Sequence, residues 1–135
     1  MLKGGCINPE IMKAISLCGH GDQILIADGN YPLDAKTGGA QKVYLGLTAG
    51  VPKVTQMRET MLQNINVEKA EVMLPEDGST PEIFADFTRL LGGMALDGLD
   101  RWAFYGACCE PKVRLAISTG EKRVFANILL TVGVA

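Results

Sequence analysis

The chain has 135 residues, 47% of them hydrophobic, and thirteen basic residues against fifteen acidic ones give a net charge of −2. That length fits one domain with a single core burying roughly two thirds of the unfolded chain's surface. Neither charge sign gathers into a run, and no stretch approaches the ~20 apolar residues of a membrane span, so nucleic-acid and membrane partners are set aside.

In chain order the pattern alternates helix and strand. Asn8 can cap a first helix with Pro9 at its first position; Ile11, Met12, Ile15 and Cys18 make its apolar stripe, and Gly19 supplies the stop. Gln23 to Ala27 is apolar after its first residue, which suits a strand buried on both faces, and Asp28-Gly29-Asn30 breaks it. A second strand is predicted over Lys42 to Leu47, followed by Gly50-Val51-Pro52 and a helix from Lys53 to Gln63, and Val67 to Leu74 reads as a third strand. Thr80-Pro81-Glu82 is a helix start, and Ile83, Phe84, Phe87, Leu90, Leu91 and Met94 repeat at helical spacing. A shorter helix over Arg101 to Cys109 precedes two strands, Val113 to Ser118 and Ala126 to Val132, joined through Thr119-Gly120-Glu121-Lys122-Arg123. Beyond Asn127 the chain is almost entirely apolar, with no charge or proline to guard a strand edge, so a partner subunit is expected to cover it. The fold class is α/β: a single-domain layered fold over residues 1–135, with a central β-sheet flanked by helices.

Met1-Leu2-Lys3-Gly4-Gly5 lacks an apolar signal core, and a soluble, cytoplasmic protein is expected. Cys6, Cys18, Cys108 and Cys109 form no C-x-x-C pair, and with a single histidine there is no zinc-ligand spacing; free thiols are expected, with no metal and no cofactor. Cys6 or Cys18 beside His20 is a conceivable nucleophile, but Cys18 continues the helical stripe. The glycine pairs match neither G-x-G-x-x-G nor a P-loop, so nucleotide binding has no support.

His20, the only histidine, sits in Gly19-His20-Gly21-Asp22. Histidine alone among side chains has an ordinary pKa, about 6.5, that lets it give and take a proton near neutrality. Its flanking glycines remove Cβ atoms and leave room for a small ligand, although a capping or turn role at a helix end fits the same spacing. Asp28 stands at the carboxyl end of a strand, where open α/β sheets bind ligands; a turn aspartate before glycine is the competing reading. Arg101-Trp102-Ala103-Phe104-Tyr105 gathers a guanidinium, the only tryptophan and a phenol, the equipment of a sugar site, where C–H faces pack on rings and hydroxyls need partners. Helix packing explains Trp102 and Phe104 nearly as well; Arg101 and Tyr105 fall four apart on one face.

Gly-His-x-Asp, the strand ending in Asp28, the Arg-aromatic-Ala-Phe-Tyr segment, and Gly120-Glu121 followed by Ala126-Asn127-Ile128-Leu129-Leu130 together resemble the D-ribose pyranase and L-fucose mutarotase family. The resemblance implies that His20 is the proton donor, that Asp28 binds the sugar and that Asn127 contributes to the same site. It also implies a homo-oligomeric ring, commonly a decamer, in which neighbouring chains complete each pocket. The position of Tyr105 is tyrosine in the fucose branch and histidine in the ribose branch, which points to L-fucose. Two departures qualify the match. Phe125-Ala126-Asn127 stands where the family has Tyr-x-Asn, which removes a phenolic hydroxyl worth about 0.5 to 1.5 kcal/mol of binding. Gln63-Asn64 occupies the region of an acidic residue of the fucose branch, and Gly50-Val51-Pro52 looks more like the ribose branch.

The activity implied is mutarotation of a monosaccharide: acid-base opening and closure of the ring, with His20 moving the proton and Tyr105 as a second proton-transfer or hydrogen-bonding group. Asp28, Arg101, Asn127, Phe125 and Trp102 would bind the substrate. D-ribose pyranase activity and a non-catalytic sugar-binding regulatory protein, the latter motivated by Phe125, are the rival readings, with a purely structural ring-forming protein as a third.

Overall fold

In a computed structural model that describes residues 1–135, ten elements alternate along the chain. Helix α1 spans Pro9–Ser16, strand β1 Gln23–Ala27, β2 Gln41–Tyr44, α2 Val54–Leu62, β3 Val67–Met73, α3 Ile83–Leu90, β4 Leu96–Leu99, α4 Arg101–Cys108, β5 Val113–Ser118 and β6 Ile128–Val132. The α/β class and the layered arrangement are as the sequence predicts.

Local chemistry sets the helix boundaries. Asn8 caps α1 by accepting the Ile11 N–H on Oδ1 at 3.0 Å, with Pro9 following where its missing N–H costs nothing. The helix nevertheless ends at Ser16, before the expected stop at Gly19. Lys53 N–H donates to Gln56 Oε1 at 2.8 Å at the start of α2. Helix α3 starts after Glu82, later than the Thr80-Pro81 signal, and stops before Leu91 and Met94. Gly92 and Gly93 follow with φ of 67° and 91°, a left-handed turn that only glycine adopts without strain.

The six strands form one sheet in the order β2-β5-β1-β6-β3-β4, in which only β6 runs antiparallel to its neighbours. Alternate residues face opposite layers. Ile24, Ile26, Leu115, Ile117, Ile128 and Leu130 pack with α1, α2 and α3, whereas Leu25, Ala27, Ala116 and Leu129 pack with Phe104 and Cys108 of α4. Strand β1 is buried along its whole length, as its apolar run predicts.

Two expectations are corrected. Strand β6 is no open edge: it lies between β1 and β3 with all five residues buried, and its apolar run is the signature of a central strand. The edges are β2 and β4 instead. Strand β4 itself, Leu-Asp-Gly-Leu, is absent from the sequence prediction; four residues with a charge and a glycine carry no strand signal, and pairing with β3 is what makes it one. No helix is long and apolar enough to cross a membrane.

Candidate active site

Because five strands run in one direction and β6 in the other, the carboxyl ends of β1, β3, β4 and β5 and the amino end of β6 share one rim of the sheet. A cavity of about 280 Å³ opens there, lined by Asp28 and Asn30 after β1, Tyr31 and Pro32, Met73 of β3, Arg101 and Tyr105 of α4, and Val124, Phe125 and Asn127 before β6. Three separate segments thus bring together Asp28, Arg101, Tyr105, Phe125 and Asn127. A larger cavity of about 500 Å³ lies elsewhere, against Ala14, Leu17, Cys109 and Arg114, and contains none of the expected site residues.

Asp28 is the most constrained of these. It is 2% exposed; its Oδ1 accepts the Asn30 N–H at 2.8 Å, and its Oδ2 accepts the Ala126 N–H at 3.1 Å. Its own N–H donates to Asn127 Oδ1 at 2.8 Å. Burial pushes the Asp28 carboxyl above its ordinary value, and the hydrogen bonds from Asn30, Ala126, Tyr31 and Asn127 offset part of that. With Asn127 Oδ1 committed and its amide nitrogen donating to the Asp28 carboxyl, one N–H of that amide is left to offer a ligand.

Arg101 follows the cap Asp100, whose side chain accepts the Ala103 N–H at 2.8 Å, and its guanidinium takes part in none of the ion pairs. One turn on, the Tyr105 ring meets Tyr31 edge-on at 5.6 Å and Trp102 at 5.9 Å, with Lys36 Nζ 5.6 Å from its centroid. Trp102 is 71% exposed and does not line the cavity; its contact with the site is through Tyr105. Phe125 alone among non-glycine residues has a positive φ, 59°. The loop that holds it is braced by buried Glu121, which accepts from Arg123 Nε and Nη2 at 3.0 Å each. That pairing holds the Glu121 carboxyl below its usual range.

His20 is not in this cavity. It lies before β1, at the opposite rim, and five strand residues at about 3.3 Å each put it on the order of 15 Å from Asp28. Gly19 N–H donates to Asp22 Oδ2 at 2.8 Å and Asp22 N–H to the Gly19 carbonyl at 3.1 Å, closing a turn that presents the imidazole outward. Gly21 is required there by its φ of 88°, while a Cβ at Gly19 or Gly21 would meet nothing within 4 Å. His20 Nε2 stands 3.0 and 2.9 Å from the two carboxylate oxygens of Glu68.

All four cysteines are free thiols, and no three metal-ligating side chains come together. Burial raises the Cys18 pKa, with Asp22 adding to the rise, which works against a thiolate beside His20.

A family model described as the RbsD / FucU transport protein family matches residues 1–135 in full. The chain belongs to the RbsD / FucU family. It is 32% identical over 142 residues to a D-ribose pyranase of Yersinia enterocolitica, with 99% of each chain covered. The structure of Bacillus subtilis RbsD complexed with D-ribose superposes with a TM-score of 0.87 at 27% identity, covering 100% of this chain and 99% of that one. The fucose mutarotase of Streptococcus pneumoniae, in complex with L-fucose, shares the fold with a TM-score of 0.80 at 24% identity, over 96% of this chain and 94% of that one. Membership makes this RbsD / FucU chain an enzyme of the isomerase class within a family of sugar pyranases and mutarotases.

Sequence reading of this RbsD / FucU chain missed Asn30, Tyr31, Met73 and Val124 in the cavity wall and Glu68 beside His20. Asn30 and Tyr31 share the loop of Asp28 and carried a signal by proximity alone. Tyr31 is a second phenol at the cavity besides Tyr105, but its hydroxyl donates to the Lys36 carbonyl at 2.9 Å and its burial raises its pKa. Glu68 lies 48 residues from His20 and gave no local signal.

Proposed function

We propose that the protein is a monosaccharide mutarotase that opens and recloses the sugar ring, with His20 moving the proton. The observation that carries this reading is the convergence of Asp28, Arg101, Tyr105 and Asn127 around a cavity of about 280 Å³, just below the range of drug-sized sites and suited to one small sugar. Such a reaction asks for hydroxyl-binding groups and one acid-base pair. A base takes the anomeric O–H proton, the bond from the anomeric carbon to the ring oxygen breaks, and the ring oxygen gains a proton; reclosure on the other carbonyl face reverses each transfer. Asp28 accepts and Arg101 and Asn127 donate to sugar hydroxyls, Phe125 packs on a C–H face, Trp102 supports Tyr105, and Tyr105 serves as second proton-transfer or hydrogen-bonding group.

Proton transfer works over about 2.6 to 3.2 Å, so a His20 at the far rim cannot serve the cavity of its own chain. The reading therefore includes a homo-oligomer, a decameric ring by resemblance, in which His20 of one subunit meets the Asp28 cavity of another. The setting is cytoplasmic sugar metabolism.

Two sugars compete. D-ribose is favoured by the curated relatives, which at 30 to 32% identity are D-ribose pyranases over nearly the whole chain. L-fucose is favoured by Tyr105, which lines the cavity. Saturation-transfer NMR of D-ribose and L-fucose with the purified protein tests both: faster exchange between anomers or ring forms is expected for at least one, and binding without any acceleration would instead identify a sugar-binding regulatory protein.

A further inference from the structure

We propose that Glu68 is a positioning residue for His20, holding Nε2–H so that Nδ1 is the nitrogen left free to exchange a proton. The inference rests on the mutarotase reading and adds a residue to it. Three features converge on the pair. Both carboxylate oxygens of Glu68 lie within 3.0 Å of Nε2, and an ionised carboxylate only accepts, so Nε2 carries the hydrogen. The register of β3 against β6 skips at this point: Val67 faces Val132 and Lys69 faces Thr131, which leaves Glu68 as the extra residue of a bulge. Bulges re-aim a side chain, and this one is aimed at the turn of His20. That turn is in turn fastened to β6 where the bulge sits, through Gly21 N–H to the Val132 carbonyl at 2.9 Å, and Gly133, whose Cβ would come 3.3 Å from the Glu68 Cβ, leaves room for the glutamate.

Stability does not account for the arrangement. The two side chains are 58% and 44% exposed, a setting in which an ion pair contributes little to folding. Orientation of an imidazole by a carboxylate on its second nitrogen selects one tautomer and one ring direction, and both matter when the ring must reach a sugar held by another subunit.

The test compares wild type, Glu68→Ala, Glu68→Gln and, as reference, His20→Ala, in the assembled protein. Exchange rates against sugar concentration give kcat and KM, and ¹⁵N-edited NMR reads the ring of His20, the only imidazole in the chain. Glu68→Ala is expected to lower kcat about tenfold or more with KM within about twofold, and to lose the downfield Nε2–H resonance of wild type. Glu68→Gln, which keeps an acceptor oxygen, should retain that resonance and show intermediate kcat. Wild-type kcat in Glu68→Ala, or a wild-type Nε2–H resonance in it, overturns the proposal even where His20→Ala is inactive. If wild type accelerates no exchange, the mutarotase reading fails, and an Nε2–H resonance lost in Glu68→Ala still supports the contact on its own.

Discussion

Asp28 and Asn127, 99 residues apart, are joined by a hydrogen bond of 2.8 Å from the Asp28 N–H to Asn127 Oδ1, while the Asp28 carboxylate reaches back to the N–H of Ala126. The end of β1 and the start of β6 are thereby locked together at the cavity. Neither residue is free to be only a ligand group.

Asp28→Asn is expected to weaken both folding and sugar binding. An amide nitrogen cannot accept the hydrogen bond that one carboxylate oxygen now takes, and a buried unmet donor costs about 1 to 3 kcal/mol. The pH dependence has a sign. Because burial raises the Asp28 pKa in the folded state, the folded protein holds that proton more tightly than the unfolded chain, so this group's contribution is greatest at low pH and is lost as pH rises through the folded value. Thermal melts of wild type and Asp28→Asn from pH 4 to 7 should show that component in wild type alone; identical profiles would refute it.

His20→Ala and His20→Gln should fold normally, since the imidazole is exposed, and still bind sugar through Asp28, Arg101 and Asn127, yet lose anomer exchange by about 10²- to 10⁴-fold. Exchange spectroscopy with far-ultraviolet dichroism as folding control measures this, and near-wild-type exchange would remove His20 from the mechanism.

Mixing provides the test of sites shared between subunits. When inactive His20→Ala and Asn127→Ala chains are co-expressed in equal amounts, about a quarter of the sites should combine an intact His20 with an intact Asn127 from different chains and regain activity. Mixed assemblies as inactive as either parent would show that one chain supplies both residues.

Phe125→Tyr should be tolerated, because the side chain lines the cavity and is only half-buried, and should tighten sugar binding by several-fold through one added hydrogen bond. Tyr105→Phe should cost more in rate than Phe125→Ala changes it, since the only other phenol at the cavity, Tyr31, already donates to Lys36. Titration calorimetry and exchange rates decide it; a Tyr105→Phe variant unchanged in both would sink the assignment.

Arg58 concerns stability rather than chemistry. Its side chain is fully buried in α2 and all three guanidinium nitrogens lack a partner, and burial, with Arg89 adding repulsion, pulls its pKa down to about 10. The folded value lies below the unfolded one, so the penalty is full below about pH 10 and eases only above it. Arg58→Met should therefore stabilise the fold at neutral pH by about 1 to 4 kcal/mol, read by denaturant titration; a destabilised variant would mean that Arg58 has a partner in the assembly.

Periodicity and local chemistry in the sequence fix much of this protein: the cap at Asn8, the two-sided burial of β1, the placement of Asp28 at a strand end and the shared helix face of Arg101 and Tyr105. Each is decided within a few residues of chain, where side-chain spacing and backbone hydrogen bonding act directly. Strand order is different in kind. An apolar run says that a strand is buried, not which strands cover it, and so β6, read from the sequence as an edge that a partner covers, is instead a central strand of the sheet. Only its insertion between β1 and β3, against the direction of both, brings Asn127 to Asp28 at one rim and Glu68 to His20 at the other, because pairing between distant segments is set by the packing of the whole core.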